Sequence, residues 1–404
     1  MKITLTTGGA PHYELGLVAG LVEQKVLVEV IGGDELERAP IMQNALVNFK
    51  NFQGKPDPGD SRLRKLLRVL RCYLRLMTHA AVSNSRLIHV QWPYKFVFFD
   101  RTLLNLYYKV LGKKIVFTAH NVDGEARDGT ANWRSRFSLR FLYRIVDHVI
   151  VHTNKMKEEL VAGFGIHADK ITVIPHGVMT AVAETALTRH EARRKLGLPA
   201  GCRVMLFFGL ITPYKGVEQL VAALGRLRDE GEKITLIIAG RVKECEEYWK
   251  EISALIEKLD LKNDIITELK HIPDESVEVY FKAADLLVLP YRGIFQSGVL
   301  FLTYRFGLPV VATDVGSFKE EIVPGRTGFV SRADDPIDLA KTIRAYFESD
   351  LFAHLESRRQ DIRDYAGRRY SWSSIGETTA RLYAKLLGQP ADSCESREKF
   401  KIAI

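Results

Sequence analysis

Two stretches in the second half of this 404-residue chain combine residue types that could hold a departing anion. In LFFGLITPYKGVEQLV, Gly209 follows an apolar run and Lys215, with Gly216, stands at the mouth of the next amphipathic stretch. A lysine there adds a full charge to the open N–H groups and dipole of a helix start, a pairing that suits phosphate. In LLVLPYRGIFQSGVLFLTYRFGLPVVATDVG, Arg292 offers a planar two-pronged donor, and Gln296, Ser297, Gly298 and Val299 open a second helix with backbone donors. Two cations and two helix mouths would neutralise a leaving nucleoside diphosphate without metal, which is what breaking an anomeric C–O bond requires. The plain alternative for Lys215 is a solvated side chain.

The first half carries polar groups in equivalent places. KIVFTAHNV sets His120 and Asn121 at the carboxyl end of a strand, where an imidazole can donate to a sugar hydroxyl or move a proton. The other reading is a structural histidine bonded to a nearby carbonyl. In TTGGAPHYELGL, Gly8 and Gly9 precede a helix start whose N–H groups could receive an anion, with His12 in the same loop. The spacing is not GxGxxG, and a tight turn explains the glycine pair equally well. His176, in VIPHGV, is either a site or a hinge residue.

The elements that must position these residues are legible as alternation. KITLTT, VLVEVIGG, RLIHVQWP, KIVFTAHN, HVIVHT and ITVIPHGV are β-branched apolar runs separated by helical lengths, and RVMLFFG, ITLIIAG, LLVLPY, PVVATDVG and GFVS repeat the style. Strands apolar on both faces with helices between them predict parallel sheets covered on each side. The fold class expected is α/β, with two doubly wound Rossmann-like domains facing a cleft. They are placed at residues 1–180 and 190–369, with a helix over 370–388 packing back on the first and a loose tail at 389–404.

Composition agrees with a packed globular protein, 46% hydrophobic and 26% charged. Four cysteines without a CxxC pair argue against a disulfide framework or zinc site. No Asp-x-Asp and no GxxxxGK[ST] occur, so neither a metal-bridged nucleotide nor a P-loop is expected, and no cofactor or metal is assigned. No apolar run approaches the roughly 20 residues that span a bilayer, and the opening residues lack the pattern of a signal peptide, so a cytoplasmic protein is expected. The net charge of +9 is confined to residues 1–178, which hold 25 Lys and Arg against 16 Asp and Glu; the remainder balances at 33 against 33.

Together these residues resemble a family 4 glycosyltransferase of the GT-B fold over roughly residues 1–388, most strongly over 203–330. FFGLITPYKG is similar to that family's diphosphate loop, IPDESVEVYFKAADLLVLPY to its approach to the donor site, and QSGV through PVVATDVGSFKEE to its nucleotide-binding helix and following strand. The resemblance implies a retaining transfer from a UDP- or GDP-sugar to a glycan or lipid-linked acceptor. It places Lys215 on the donor diphosphate, His120 near the transferred sugar, Ser297 and Gly298 on phosphate or sugar, and Gly240, Arg241 and Ile272 near the base. The family's paired glutamates are absent, their positions being Ile294 and Leu302, and its arginine after the loop glycine is Leu210. Glu320 falls where the family often has an acid, with its role open. Two rivals stand: a nucleotide-sugar 2-epimerase on the same fold, and a catalytically silent partner in a glycan-assembly complex.

One segment lies outside this reading. SRLRKLLRVLRCYLRLM, residues 61–77, sets Leu63, Leu66, Leu67, Leu70, Leu74 and Met77 on one helical face and Arg64, Arg68, Arg71 and Arg75 along another. Either the leucines pack on the domain and the arginines are solvated, or the helix meets an anionic inner-membrane surface or anionic acceptor. Nucleic acid is not expected, since no stacking platform accompanies the charge.

Overall fold

The structure, a computed structural model, describes residues 1–54, 59–123, 132–178, 182, 184–199, 201–243 and 245–389. It divides into two compact units, Met1–Gly177 with the chain from Tyr370 onward, and Val178–Arg369. The expected tail, apart from Gln389, lies outside the described residues.

The first unit holds seven strands: β1 (Lys2–Thr6), β2 (Leu27–Gly32), β3 (Val47–Asn51), β4 (Leu87–Val90), β5 (Lys114–Thr118), β6 (His148–Val151) and β7 (Ile171–Val173). They pair in parallel in the order β3-β2-β1-β4-β5-β6-β7. The chain winds outward from β1 to β3, then returns through helix Arg62–Val82 to lay β4 on the other flank of β1, with Thr4 beside Ile88. The winding therefore reverses between β1 and β4, and loops after those strands leave in opposite directions, opening the crevice where such sheets bind ligands.

Helix Pro11–Glu23 buries Leu17, Val18 and Leu21 in this core. Its other side meets helix Trp372–Leu387 at near backbone contact. A Cβ on Gly20 would stand 2.1 Å from the Trp372 carbonyl oxygen, and one on Gly376 would stand 2.2 Å from the Gly20 carbonyl carbon. Only glycine permits that approach, which ties the carboxyl-terminal helix into the amino-terminal unit.

The second unit holds β8 (Arg203–Phe208), β9 (Ile234–Ala239), β10 (Ile265–Glu268), β11 (Leu286–Leu289), β12 (Val310–Thr313) and β13 (Gly328–Ser331), all parallel, in the order β10-β9-β8-β11-β12-β13. Its reversal lies between β8 and β11. Two buried charges brace it. Asp285, just before β11, receives Arg189, Arg193 at 2.8 Å and the Val204 N–H at 2.8 Å. Arg359 donates to the carbonyls of Phe281, Phe306 and Ala284, satisfying groups at the ends of helices Asp274–Ala283 and Gly298–Arg305. β3 and β10, each the outermost strand on one side of its sheet, are additions to the strands expected from the sequence.

Candidate active site

In the second unit, loops after four strands converge at the β8/β11 reversal. Gly209 (φ +117°) ends β8 and Gly240 (φ +149°) ends β9, and a Cβ on Gly240 would stand 1.8 Å from the Gly209 carbonyl oxygen. Gly216 (φ +62°) lets the β8 loop lie against the Pro290 carbonyl after β11, where a Cβ would approach to 2.1 Å. The Arg292 N–H bonds the Tyr214 carbonyl at 2.8 Å, and Thr313 Oγ1 donates to the Tyr291 carbonyl at 2.5 Å. These positions require glycine or small polar residues because backbone is packed on backbone.

Lys215 is held at the centre of this convergence. It is 7% exposed, its Nζ donates to the Tyr291 hydroxyl at 3.0 Å, and the ammonium lies 4.8 Å from the Tyr291 ring centroid. The same Nζ stands 3.4 Å from where a Gly209 side chain would begin, with the Val299 methyl 3.6 Å from that point. Gly209, Lys215 and Val299 thus share one small volume. Helix Gly298–Arg305 opens beside it with Ser297 buried and no side-chain cap, so the N–H groups of Gly298 and Val299 are the polar face of that mouth. Gly240 and Arg241 join the same loops, the Arg241 carbonyl receiving the Ile211 N–H at 2.9 Å. Ile272 is buried in the loop after β10, and Leu210 is partly exposed.

Two expected donor contacts are otherwise engaged. Arg292 places Nη2 2.7 Å from Glu218 and Nε 3.1 Å from Asp334, so its charge is spent on two carboxylates rather than held open as a second cation. Gln296 turns its carboxamide inward, Nε2 donating to Glu321 Oε1 at 2.8 Å. Glu321, 4% exposed, also bonds Ser317 Oγ at 2.9 Å, and burial pushes its carboxyl up to about 7. Glu320, the acid singled out by the resemblance, is exposed, and the buried carboxyl is that of its neighbour. The signal available was the EE pair after a tight turn, where only one carboxylate can face inward.

In the first unit, Gly8 and Gly9 do not await an external anion. Both N–H groups donate to Glu14 Oε1, at 2.8 and 3.3 Å, so a carboxylate from the helix's own first turn fills the position. His12 is half-buried in that turn, and Asn121 is half-buried after β5.

His120 belongs to a larger cluster. Its ring stacks on Trp92 with centroids 4.8 Å apart and planes 2° from parallel, and Tyr13 packs edge-on against it at 4.7 Å. His152 Nδ1 faces the Ile174 carbonyl at 2.9 Å, which can only accept, so Nδ1 carries the proton. Neutral His152 then accepts at Nε2 from His120 Nδ1, 3.0 Å away, and His120 Nε2 is left without a proton 3.0 Å from Gln91 Oε1, itself an acceptor. A neutral chain needs the Gln91 amino group at that contact; with the Gln91 oxygen there, the two rings must share an extra proton. Burial and neighbouring imidazoles hold His120 well below the usual histidine range and His152 at about 3, which favours the neutral chain. Both nitrogens of His120 are therefore committed within the protein, and a substrate hydroxyl would have to replace Gln91. The other end of the Gln91 carboxamide lies 3.0 Å from His89 Nε2, and His89 also contacts Tyr383 and Thr118. The sequence singled out His120 and His176 but not His89, Gln91 or His152, although HVQ and HVIVH place all three at strand ends with the period of two that points inward.

Beside Trp92, between β1 and β4, a pocket is lined by Thr6, Thr7, Trp92, Tyr94, Asp100 and Asn105 among others. Asp100 Oδ1, Asn105 Oδ1 and Trp92 Nε1 are buried there with no hydrogen-bond partner among the described residues. Burial raises the Asp100 carboxyl to about 6. A π-turn over Asp100–Leu104 brings both acceptors inward. Such a wall suits a hydroxylated group that donates to the acid and amide while an aromatic ring covers it.

Comparison with known proteins gives two family matches, "Glycosyltransferase Family 4" over residues 7–182 and "Glycosyl transferases group 1" over 188–369. D-inositol 3-phosphate glycosyltransferase of Pseudarthrobacter chlorophenolicus is 30% identical over 246 residues, covering 60% of this chain and 57% of that protein. The Arthrobacter sp. protein of the same name is 29% identical, covering 62% and 59%. The matched stretch thus spans under three fifths of these curated relatives. Among solved structures, sucrose-phosphate synthase from Thermosynechococcus elongatus superposes with TM-score 0.75 at 19% identity, covering 96% and 99%. HepE of Anabaena, complexed with UDP and glucose, gives TM-score 0.73 at 18%, covering 95% and 100%. At that identity the structures show a shared fold.

Proposed function

The chain belongs to the family 4 glycosyltransferases of the GT-B fold, and from that premise we propose that it moves a sugar, with retention, from a nucleotide-sugar donor to a glycan or lipid-linked acceptor. The observation that carries this reading is the buried Lys215 ammonium beside Gly209 and Val299 at the β8/β11 reversal. In such a transfer the anomeric C–O bond breaks, the nucleoside diphosphate leaves with the electron pair, and the acceptor oxygen bonds the same face of the sugar. The acceptor's proton passes to the departing phosphate. Lys215 and the N–H groups of Gly298 and Val299 would stabilise the charge that develops on the diphosphate.

HepE complexed with UDP-glucose makes UDP the first nucleotide to test, with GDP second. Metal independence is proposed because the chain has a cation and helix mouth for the diphosphate and no Asp-x-Asp. For the acceptor, the Asp100 and Asn105 oxygens in the first unit favour a hydroxylated head group, and His120 is proposed to contact the transferred sugar once Gln91 turns toward His89. The location proposed is the cytoplasm, at the inner face of the membrane; no helix among the described residues is long and apolar enough to cross one.

The test is a thermal-shift and calorimetric screen against UDP, GDP, dTDP, ADP and their sugar conjugates in EDTA. A saturating ligand at 100 times its Kd should stabilise the fold by about 2.7 kcal/mol. Stabilisation by one nucleotide supports the proposal. Binding of none would shift the reading to the silent partner, and conversion of the donor without acceptor to the epimerase.

A further inference from the structure

Helix Arg62–Val82 does not pack its leucines on the domain. Its buried residues are Cys72, Tyr73, Leu76 and Ala80, while Leu63, Leu66, Leu67, Leu70 and Leu74 stand outward, Leu63 at 65% and Leu74 at 67% exposure. On a helical wheel the buried face, the leucine face and the Arg64, Arg71 and Arg75 stripe occupy three separate sectors. The amphipathic face is thus turned away from the protein's own core.

Its neighbours repeat the pattern. Tyr73 stacks on Phe96 at 5.5 Å, and the Tyr107 hydroxyl donates to the Met77 carbonyl, fixing segment Phe96–Val110 alongside the helix. Phe98 stacks in turn on Phe137 of helix Trp133–Ile145 at 6.5 Å. Outward from these two elements project Phe98, Leu103, Leu106, Val110, Trp133 and Phe137, Val110 at 78% and Trp133 at 76%. Nineteen large apolar residues are exposed among the described residues, and fourteen lie between Leu63 and Phe137; the other five are scattered singly. So dense a patch marks an interaction surface rather than the ordinary apolar fraction of a protein exterior.

Charge selects the occupant. Residues 62–82, 97–110 and 133–145 carry twelve lysines and arginines and one acid, Asp100, which is buried. Arg68 is paired with Asp60 and Lys109 with Asp147, while Arg64, Arg71, Arg75, Arg134, Arg136 and Arg140 are exposed among the apolar side chains. A second copy of the same face would bring like charges together, and an aqueous partner gives no reason for so many bare leucines. A bilayer interface with anionic head groups satisfies both, since apolar tips and Trp133 enter the acyl boundary while guanidinium groups stay at head-group level.

We propose that this three-element face of the first unit docks on an anionic lipid surface. It deepens the proposed acceptor class, because Phe96 and Phe98 follow within six residues of Trp92, which stacks on His120. A lipid-borne head group would then enter beside Asp100 and Asn105 with its chains already in the bilayer.

The test is flotation of the full chain with phosphatidylglycerol-containing vesicles and with pure phosphatidylcholine vesicles, alongside light scattering and nucleotide calorimetry on the same samples. Binding to the anionic vesicles is expected. Replacing Arg64, Arg71 and Arg75 with glutamine should weaken it about 100-fold, near fivefold for each charge removed from the surface. The double variant Leu66→Glu and Leu70→Glu, at exposed positions, should lose binding with its melting temperature and nucleotide affinity unchanged. Failure of the wild-type chain to bind, binding undiminished in either variant, or a dimer broken by the leucine variant would each overturn the proposal. Vesicle binding without nucleotide binding would keep the docking face and sink the proposed reaction; the converse would do the opposite.

Discussion

Replacing Lys215 with methionine separates the two cations that the sequence placed at the diphosphate. Methionine keeps most of the apolar stem that fills the space beside Tyr291 and deletes only the charge. A charge-assisted hydrogen bond contributes about 1.5–3 kcal/mol, so the Kd for the nucleoside diphosphate should rise about 10- to 150-fold. Because Lys215 is 7% exposed, the interaction is poorly screened, and the loss should persist at high salt. The free protein should not be destabilised, since removing a buried ammonium also removes its desolvation cost. Arg292→Ala should weaken binding less than about threefold, because Glu218 and Asp334 already hold the guanidinium at a site 44% exposed, where ion pairs contribute little. Isothermal titration at low and high salt reads both variants. Wild-type affinity in the methionine variant, or an equal loss in both, would refute the assignment of the diphosphate to Lys215.

Further outcomes follow from the buried titratable groups and from Arg359. Glu321→Ala should weaken nucleotide binding roughly tenfold by releasing Gln296, whereas Glu321→Gln should stay close to wild type, as calorimetry would show. The carboxyl is raised to about 7 in the fold, so its contribution to stability is present at low pH and fades as pH rises from the unfolded value toward 7; the glutamine variant should lack that dependence in thermal melts. His89 and His152 have the opposite sign. Both are held at about 3 by burial, so the unfolded chain takes up protons first as pH falls below about 6.5, and each should cost roughly 2 kcal/mol of stability at about pH 5. Denaturant titrations of the Glu321→Gln protein isolate that slope, and a flat profile would show the histidines are not buried as neutral rings. Arg359→Ala should destabilise the second unit by about 3–5 kcal/mol, read as a lower melting temperature, since three carbonyls lose their donor.

The strands most legible in the sequence are those buried on both faces, such as VMLFF in β8 and LLVL in β11, where every residue is apolar. The two that were not legible, β3 and β10, are edge strands with the composition VNFKN and IITE, half-exposed and without an apolar run. In both, polar residues (Asn48, Lys50 and Asn51; Thr267 and Glu268) erase the apolar run, as an edge position permits, whereas the other edge strands, β7 and β13, keep Ile171 with Val173 and Phe329 with Val330 and stay readable. The same divide applies to the site. That Gly209, Lys215 and the QSGV segment fall at a strand end and at helix starts was legible, because backbone geometry is a local property of a loop. The engagement of Arg292 by Glu218 and Asp334, and of the Gly8 and Gly9 N–H groups by Glu14, was not, since each depends on which side chain the fold brings alongside. The outward turn of the leucines in helix Arg62–Val82 was equally hidden, because the wheel of a helix does not say which face meets the core.

The absent paired glutamates shift the expected balance of affinity from sugar to nucleotide. A carboxylate beside the sugar accepts hydroxyl protons in charge-assisted bonds, about twice as strong as neutral ones. Here Ile294 and Leu302 occupy those positions, and the one buried carboxyl nearby, Glu321, spends its oxygens on Gln296 and Ser317. With the Gln296 amino group turned inward, its carbonyl oxygen is the group left to accept a sugar hydroxyl at the helix mouth, and it is neutral. One neutral bond contributes about 1 kcal/mol, so a nucleotide-sugar should bind no more than about tenfold more tightly than its nucleoside diphosphate. Competition between the two by calorimetry measures this directly. A gain above about 100-fold would mean that ionised groups elsewhere grip the sugar, and that the Gln296–Glu321 pair is not what replaced the missing acids.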